Sequence, residues 1–259
     1  MARYAGRFVV DTHCHPQRAV VKFAERGIKT PSTREMYAEV ADVQWHDNSE
    51  RLLYDMERYG IDLCILMSGG LARGMDNDLD VEIAARNPEK FAVLCYPTRT
   101  FNQAARGEEL WTFEGALKET EDRLKTGKYV GIGQGLPITE LGYFADWWAL
   151  GDEKKKEEVL SEEESLDRYR MFMDLAASFE VAVAGMPHER GVTDRLAAEY
   201  PSVPIILQLV GWGHRASQEK IREVCTLASF ADNIYLEMGF APAELYEIPL
   251  SDPNIGPTR

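Results

Sequence analysis

Short apolar runs alternate with longer amphipathic stretches along the whole chain. The runs occupy residues 8–10, 63–67, 91–95, 129–132, 181–184, 205–209 and 234–236. They are too short and too continuous for amphipathic helices, and they fit strands buried on both faces. Between them, apolar residues recur at helical spacing. Leu52, Leu53, Met56 and Tyr59 define a first helix, with Asn48 or Ser49 as its cap and Gly60 as its stop. Residues 78–86 form a second helix, ended by Asn87-Pro88. Residues 113–124, stopped at Gly127, and then 166–179, 193–200 and 217–230 complete the set. This is a repeated βα unit, which calls for a parallel sheet covered by helices. A closed (β/α)8 barrel and an open doubly wound sheet both satisfy it. No GxGxxG follows the first strand, and Gly131-Ile132-Gly133-Gln134-Gly135 lacks the remaining elements of a phosphate loop. The least regular stretch, residues 136–164, is expected to be an insertion. No linker is visible, so residues 1–259 are expected to form one domain.

Composition narrows the function classes. At 45% hydrophobic and 28% charged residues, the chain is an ordinary globular protein. Asp and Glu total 43 against 29 Lys and Arg, a net charge of −14. Such a surface repels nucleic-acid phosphates, and no basic patch overrides it. Lys154, Lys155 and Lys156 are followed at once by Glu157 and Glu158, and Glu162 to Glu164 extend the charge. These runs are expected on a solvated helix face or loop. No apolar run approaches the ~20 residues of a membrane span, and the first residues hold no signal-peptide core. Cys14, Cys64, Cys95 and Cys225 are far apart and form no CxxC. The expectation is a cytoplasmic protein with reduced thiols, no membrane partner and no nucleic-acid partner.

Candidate chemistry concentrates in Asp11-Thr12-His13-Cys14-His15-Pro16, at the end of the first strand. Alternate strand residues point to one side, so Asp11, His13 and His15 are expected to share a face. Two neutral imidazoles presented together can hold zinc or a neighbouring transition metal. Pro16 ends the strand and places the pair at its C-terminal end, where parallel barrels build their active sites.

This motif resembles the opening of amidohydrolase-superfamily barrels. The likeness extends through Trp45-His46-Asp47-Asn48, Arg51 and the stretch Met56-Glu57-Arg58-Tyr59-Gly60-Ile61-Asp62. Asn77-Asp78, the stretch from Ala84 to Ala92, and Leu196-Ala197-Ala198-Glu199-Tyr200-Pro201 are similar to one branch. That branch contains aminocarboxymuconate-semialdehyde decarboxylase and the resorcylate-type decarboxylases. The resemblance implies an α/β fold of (β/α)8 TIM-barrel type. Seven strands are visible, and the chain is expected to lack the eighth. It implies one divalent metal ion, zinc first and manganese second, held by His13, His15 and His188. No Lys follows strand four where binuclear relatives carry one, which favours a single ion.

Two departures from the branch stand out. Its strand-six His, an acid or base beside the metal, is replaced here by Leu209 or, with a one-residue slip, by Gln208; neither shuttles a proton at neutral pH. His214 lies just beyond and is the candidate catalytic group. Its last-strand Asp has no counterpart, because Asp252 comes too early, in an Asp-Pro turn. Arg18 and Trp212 are candidate substrate contacts, and Arg73, Arg99, Arg190 and Arg215 also follow predicted strands. The expected activity is a metal-dependent carboxy-lyase acting on a small carboxylated aromatic or muconate-like compound. The alternatives are a metal-dependent hydrolase of an amide, ester or lactone, an inactive or truncated barrel that only binds, and a TatD-type nuclease. His188-Glu189-Arg190 resembles the nuclease's fifth-strand signature, but strand four carries no Glu for its metals. A homodimer is the expected assembly.

Overall fold

The first strand begins two residues later than the apolar pattern predicts. In the computed structural model, which describes residues 8–18, 45–68, 76–106, 108–139, 160–187, 191–208 and 218–237, β1 spans Val10–Cys14. Phe8, Val9 and Val10 are exposed, contrary to a strand buried on both faces. The physical reason is its place: β1 ends the strand order, and its described partner lies on one side alone. The backbone ladder, rather than the apolar run, therefore sets the strand's bounds.

Two compact units divide the chain, Met1–Ser161 and Glu162–Arg259. In the first, β1 is followed by β2 (Gln17–Arg18), β3 (His46–Asp47), α1 (Ser49–Tyr59), β4 (Leu63–Leu66), α2 (Asn77–Arg86), β5 (Phe91–Cys95), α3 (Thr98–Arg106), α4 (Phe113–Leu124) and β6 (Gly131–Ile132). The parallel order is β1-β4-β5-β6. Val10 sits opposite Leu63, Cys64 opposite Phe91, and Leu94 opposite Gly131. Strands β2 and β3 form a separate antiparallel pair that the apolar pattern does not reveal. At two residues each they are too short to show a period.

Local code explains most of these elements. Helix α1 starts where the Asp47 carboxylate accepts from the Ser49 N–H at 2.8 Å, so neither Asn48 nor Ser49 supplies the capping side chain. It stops at Gly60, whose φ of 73° is left-handed and suits glycine. Helix α2 is capped by Asp76, which accepts from the Asp78 N–H. Helix α4 is capped by Thr112 in the same way. Met56, Leu66, Ile83, Leu94 and Ile132 are fully buried or nearly so and form this unit's core.

The second unit runs α5 (Glu162–Phe179), β7 (Ala182–Ala184), α6 (Thr193–Glu199), β8 (Ile205–Leu207), α7 (Gln218–Ser229) and β9 (Ile234–Leu236). Its strands are parallel in the order β7-β8-β9. Phe172 of α5, Val183 of β7, Leu196 of α6 and Ile221 of α7 are fully buried between the layers. Helix α5 opens on Glu162, inside the stretch read as an insertion, and its first turn carries Glu163 and Glu164. Acidic side chains there favour the positive end of the helix dipole. Seven parallel strands thus lie among the described residues, the number read from the sequence. No helix among them is long and apolar enough to cross a membrane.

Candidate metal centre

His13 and His15 stand together at the end of β1. Their ring centroids are 5.1 Å apart and the planes nearly perpendicular. The strand is not a regular alternating one: its register against β4 shifts between Asp11 and Cys14. The Asp11 carboxylate curls back to accept from the His13 N–H at 3.1 Å. Asp11 also groups with the Cys14 and Cys64 thiols, all three ligand atoms lying within 4.8 Å of one another.

Each imidazole has a defined partner. His15 Nδ1 lies 2.9 Å from the Met67 carbonyl oxygen, which can only accept, so Nδ1 carries the hydrogen and Nε2 keeps its lone pair. A metal-binding histidine commonly has this second contact, which sets its tautomer and aim. His15 keeps some surface open to solvent, yet its ring is crowded by protein atoms. Burial first, and then His13, push its pKa down to about 4. His15 is therefore neutral at pH 7, the form a metal binds. His13 Nε2 lies 3.0 Å from Nε2 of Gln134, on the glycine-rich turn after β6. The amide hydrogen is donated to the ring nitrogen, so here too the lone pair sits on Nε2.

Two residues beyond His15, Gln17 enters a buried polar network. Gln17 Nε2 donates to Asp80 Oδ1 at 2.8 Å, and Ser68 Oγ donates to Asp80 Oδ2. Gln17 Oε1 accepts from the Asp76 N–H, tying β2 to the cap of α2. Burial pushes the Asp80 carboxyl up to about 6, against the lowering effect of Ser68, Gln17 and Asn77. Asn77 in turn donates to the Leu94 carbonyl and accepts from the Tyr96 N–H, joining α2 to the end of β5.

Two ligand sets compete on chemistry. The Cys14 thiol is pushed up by its hydrogen bond with Cys64, by burial and by Asp11, so it stays protonated. A metal binds the thiolate, not the thiol. The imidazoles need no such deprotonation, and Gln134 leaves a buried carbonyl Oε1 without a partner beside them. The residues present at His13 and His15 fit a divalent ion better than the thiol group does.

Most of the other expected site residues are not described. His188, His214, Trp212, Arg73, Arg190 and Arg215 are outside the described residues, and so is the side chain of Arg18 in β2. Arg99 is exposed in the first turn of α3 and lines a cavity of about 380 Å³ with Arg123, Lys128 and Tyr129, a set without His13 or His15. Gln208 is buried just after β8. Sequence reading missed Gln134, Ser68 and, after β9, the buried Glu237. A polar residue directly after an apolar strand was the available signal, since parallel barrels place their chemistry at those ends.

No protein-family model matches the sequence, and no curated protein matches it either. Solved structures do. An uncharacterized TIM-barrel protein from Bordetella bronchiseptica superimposes with a TM-score of 0.53 at 13% identity, covering 93% of this chain and 80% of that one. The fold is of the TIM-barrel type. Other solved structures similar to this TIM-barrel chain have named activities. A dihydroxybenzoic acid decarboxylase from Polaromonas, with bound manganese and the inhibitor 2-nitroresorcinol, matches with a TM-score of 0.48 at 13% identity. The match covers 94% of this chain and 82% of that one. A probable 2-pyrone-4,6-dicarboxylic acid hydrolase from Acinetobacter baumannii matches with a TM-score of 0.49 at 14% identity, covering 93% and 76%.

Proposed function

We propose that this TIM-barrel chain is a metal-dependent enzyme acting on a small carboxylated compound, with decarboxylation ahead of hydrolysis of an amide, ester or lactone. One observation carries the reading: His13 and His15 are adjacent rings whose Nε2 atoms both carry lone pairs, His15 held at Nδ1 by Met67 and His13 met at Nε2 by Gln134. His188, which follows β7, is the third ligand on the resemblance of its position. A divalent ion, zinc or manganese, supplies a Lewis acid that polarises a carboxylate or acidifies a bound water. The protein's part is to hold His15 neutral, to aim the two rings through Met67 and Gln134, and to tie Gln17, two residues beyond His15, into the Asp80 network. His214 is proposed as the proton-transfer group, and Arg18 and Trp212 as substrate contacts. A cytoplasmic location fits the four buried cysteines, none of which is in a disulfide. A homodimer belongs to the same proposal.

The test is metal content and turnover together. Purified protein is expected to carry about one zinc or manganese per chain, lost in His13→Ala, and to release carbon dioxide from a dihydroxybenzoate. Acid release from a pyrone dicarboxylate without carbon dioxide would select the hydrolase instead. A folded chain that takes up neither ion refutes both. Gln208 favours a second reading, a barrel that binds metal and ligand without turnover, because an amide buried at the end of β8 transfers no proton at neutral pH. Stoichiometric metal with no turnover on either substrate class would select it.

A further inference from the structure

We infer that Gln134 is itself a metal ligand, whose side-chain amide turns over when the ion arrives. The inference rests on the metal-centre reading above and goes beyond it by adding an oxygen donor from the turn after β6. Gln134 is 6% exposed, and its Nε2 touches His13 Nε2 at 3.0 Å. Its Oε1, on the same amide, is buried without a hydrogen-bond partner. The turn that carries it is pinned, because the Gly133 N–H donates to the Cys95 carbonyl at 3.0 Å. The side chain therefore has little choice of where to lie.

Its two ends are chemically opposed. His13 Nε2 has one lone pair, which accepts either the Gln134 hydrogen or a metal ion, never both. Metal binding in the present orientation would strand a buried N–H beside a cation and leave Oε1 still unpaired, and each buried unpaired group costs about 1–3 kcal/mol. Rotation about the terminal torsion, which is soft and roughly two-fold in glutamine, exchanges the two atoms. Oε1 then faces the ion, so the buried N–H no longer opposes the cation and the carbonyl gains a partner; the amide nitrogen takes the place Oε1 held. Amide carbonyl oxygen is a suitable donor for hard and borderline divalent ions. Without metal, the same amide occupies the ring nitrogen and keeps His13 in the binding tautomer.

The test uses the full-length protein stripped with a chelator and then titrated with Zn²⁺ against a competing indicator, and with Co²⁺ followed by its visible bands. Gln134→Glu supplies a charged oxygen in the same place and is expected to tighten Zn²⁺ binding by about tenfold or more. Gln134→Leu is expected to weaken it by about tenfold. Weakening alone would also follow from a supporting contact, so the Co²⁺ spectrum decides. Loss of an oxygen ligand shifts its bands, and loss of a neighbour to His13 does not. Wild-type affinity and an unshifted spectrum in both variants, with binding still abolished in His13→Ala, would overturn the inference while leaving the metal centre standing. Failure of the wild-type chain to bind either ion would overturn both. If Gln134→Leu does not fold, Gln134→Glu against wild type decides on the same two readouts.

Discussion

Asp80 is a carboxylate held in an unfavourable place, and this makes its pH dependence a sharp test of the network it forms with Gln17 and Ser68. The residue is fully buried, accepting from Gln17 and Ser68. Burial lifts its pKa from the ordinary 3.8 to about 6. The folded chain therefore holds this proton more tightly than the unfolded chain does. Between about pH 4 and pH 6 the unfolded state has lost the proton and the folded state still has it. Stability from this group accordingly falls as pH rises through that window and is level above it. At about 1.4 kcal/mol per pH unit, the penalty at neutral pH is about 3 kcal/mol. Asp80→Asn keeps the shape, accepts from Gln17 through Oδ1 and can donate to Ser68 Oγ through Nδ2. It carries no charge to desolvate. The assay is urea unfolding of both proteins in chelator from pH 4 to pH 7.5. The stability difference between variant and wild type is expected to move by about 2.5 kcal/mol in the variant's favour across that range, since a little of the penalty is already present at pH 4. A difference that stays flat within about 0.5 kcal/mol would refute the assignment of a raised, buried carboxylate.

Three further outcomes follow from the same structure. Arg123→Ala is expected to cost about 3 kcal/mol in denaturant unfolding, because it strands the buried Glu119 carboxylate, 2.8 Å from Arg123 Nε; adding Glu119→Gln should recover part of the loss. Asn233→Ala is expected to cost about 2 kcal/mol, because Asn233 Nδ2 serves the carbonyls of Ala197, Tyr200 and Val203 between α6 and β9. Saturating Zn²⁺ is expected to raise the melting temperature of wild type by several degrees through binding to the folded state, and to leave His15→Ala unmoved; an equal rise in both would place the ion elsewhere.

How much was legible from the chain depended on how local the code was. Helix α1 with its stop at Gly60, helix α2 with its end before Pro88, and helix α4 could be read because their spacing, caps and breakers lie within a few residues of one another. Helix α3 could not. The Arg99 and Thr100 N–H groups at its start are satisfied by the Glu119 carboxylate, and the Thr100 hydroxyl also donates to it. Glu119 lies on α4, so this helix start is made by tertiary contact. The same split runs through the candidate site. His13 and His15 are two residues apart and announced themselves. Gln134 meets His13 across 121 residues, and Asp80 meets Gln17 across 63. Those meetings exist only once the strands are in order.

The Met67 peptide has two duties that belong to different kinds of order. Its N–H donates to the Cys14 carbonyl at 3.0 Å, and its carbonyl accepts from His15 at 2.9 Å. The first fixes how β4 lies along β1, and the second fixes which nitrogen of His15 is open. A strand paired one residue out would turn every side chain to the opposite face and offer His15 a different backbone group. Metal uptake at His15 would then proofread strand pairing: a chain that loads its ion has its first two parallel strands in the correct alignment, and a misaligned one declares itself by staying empty.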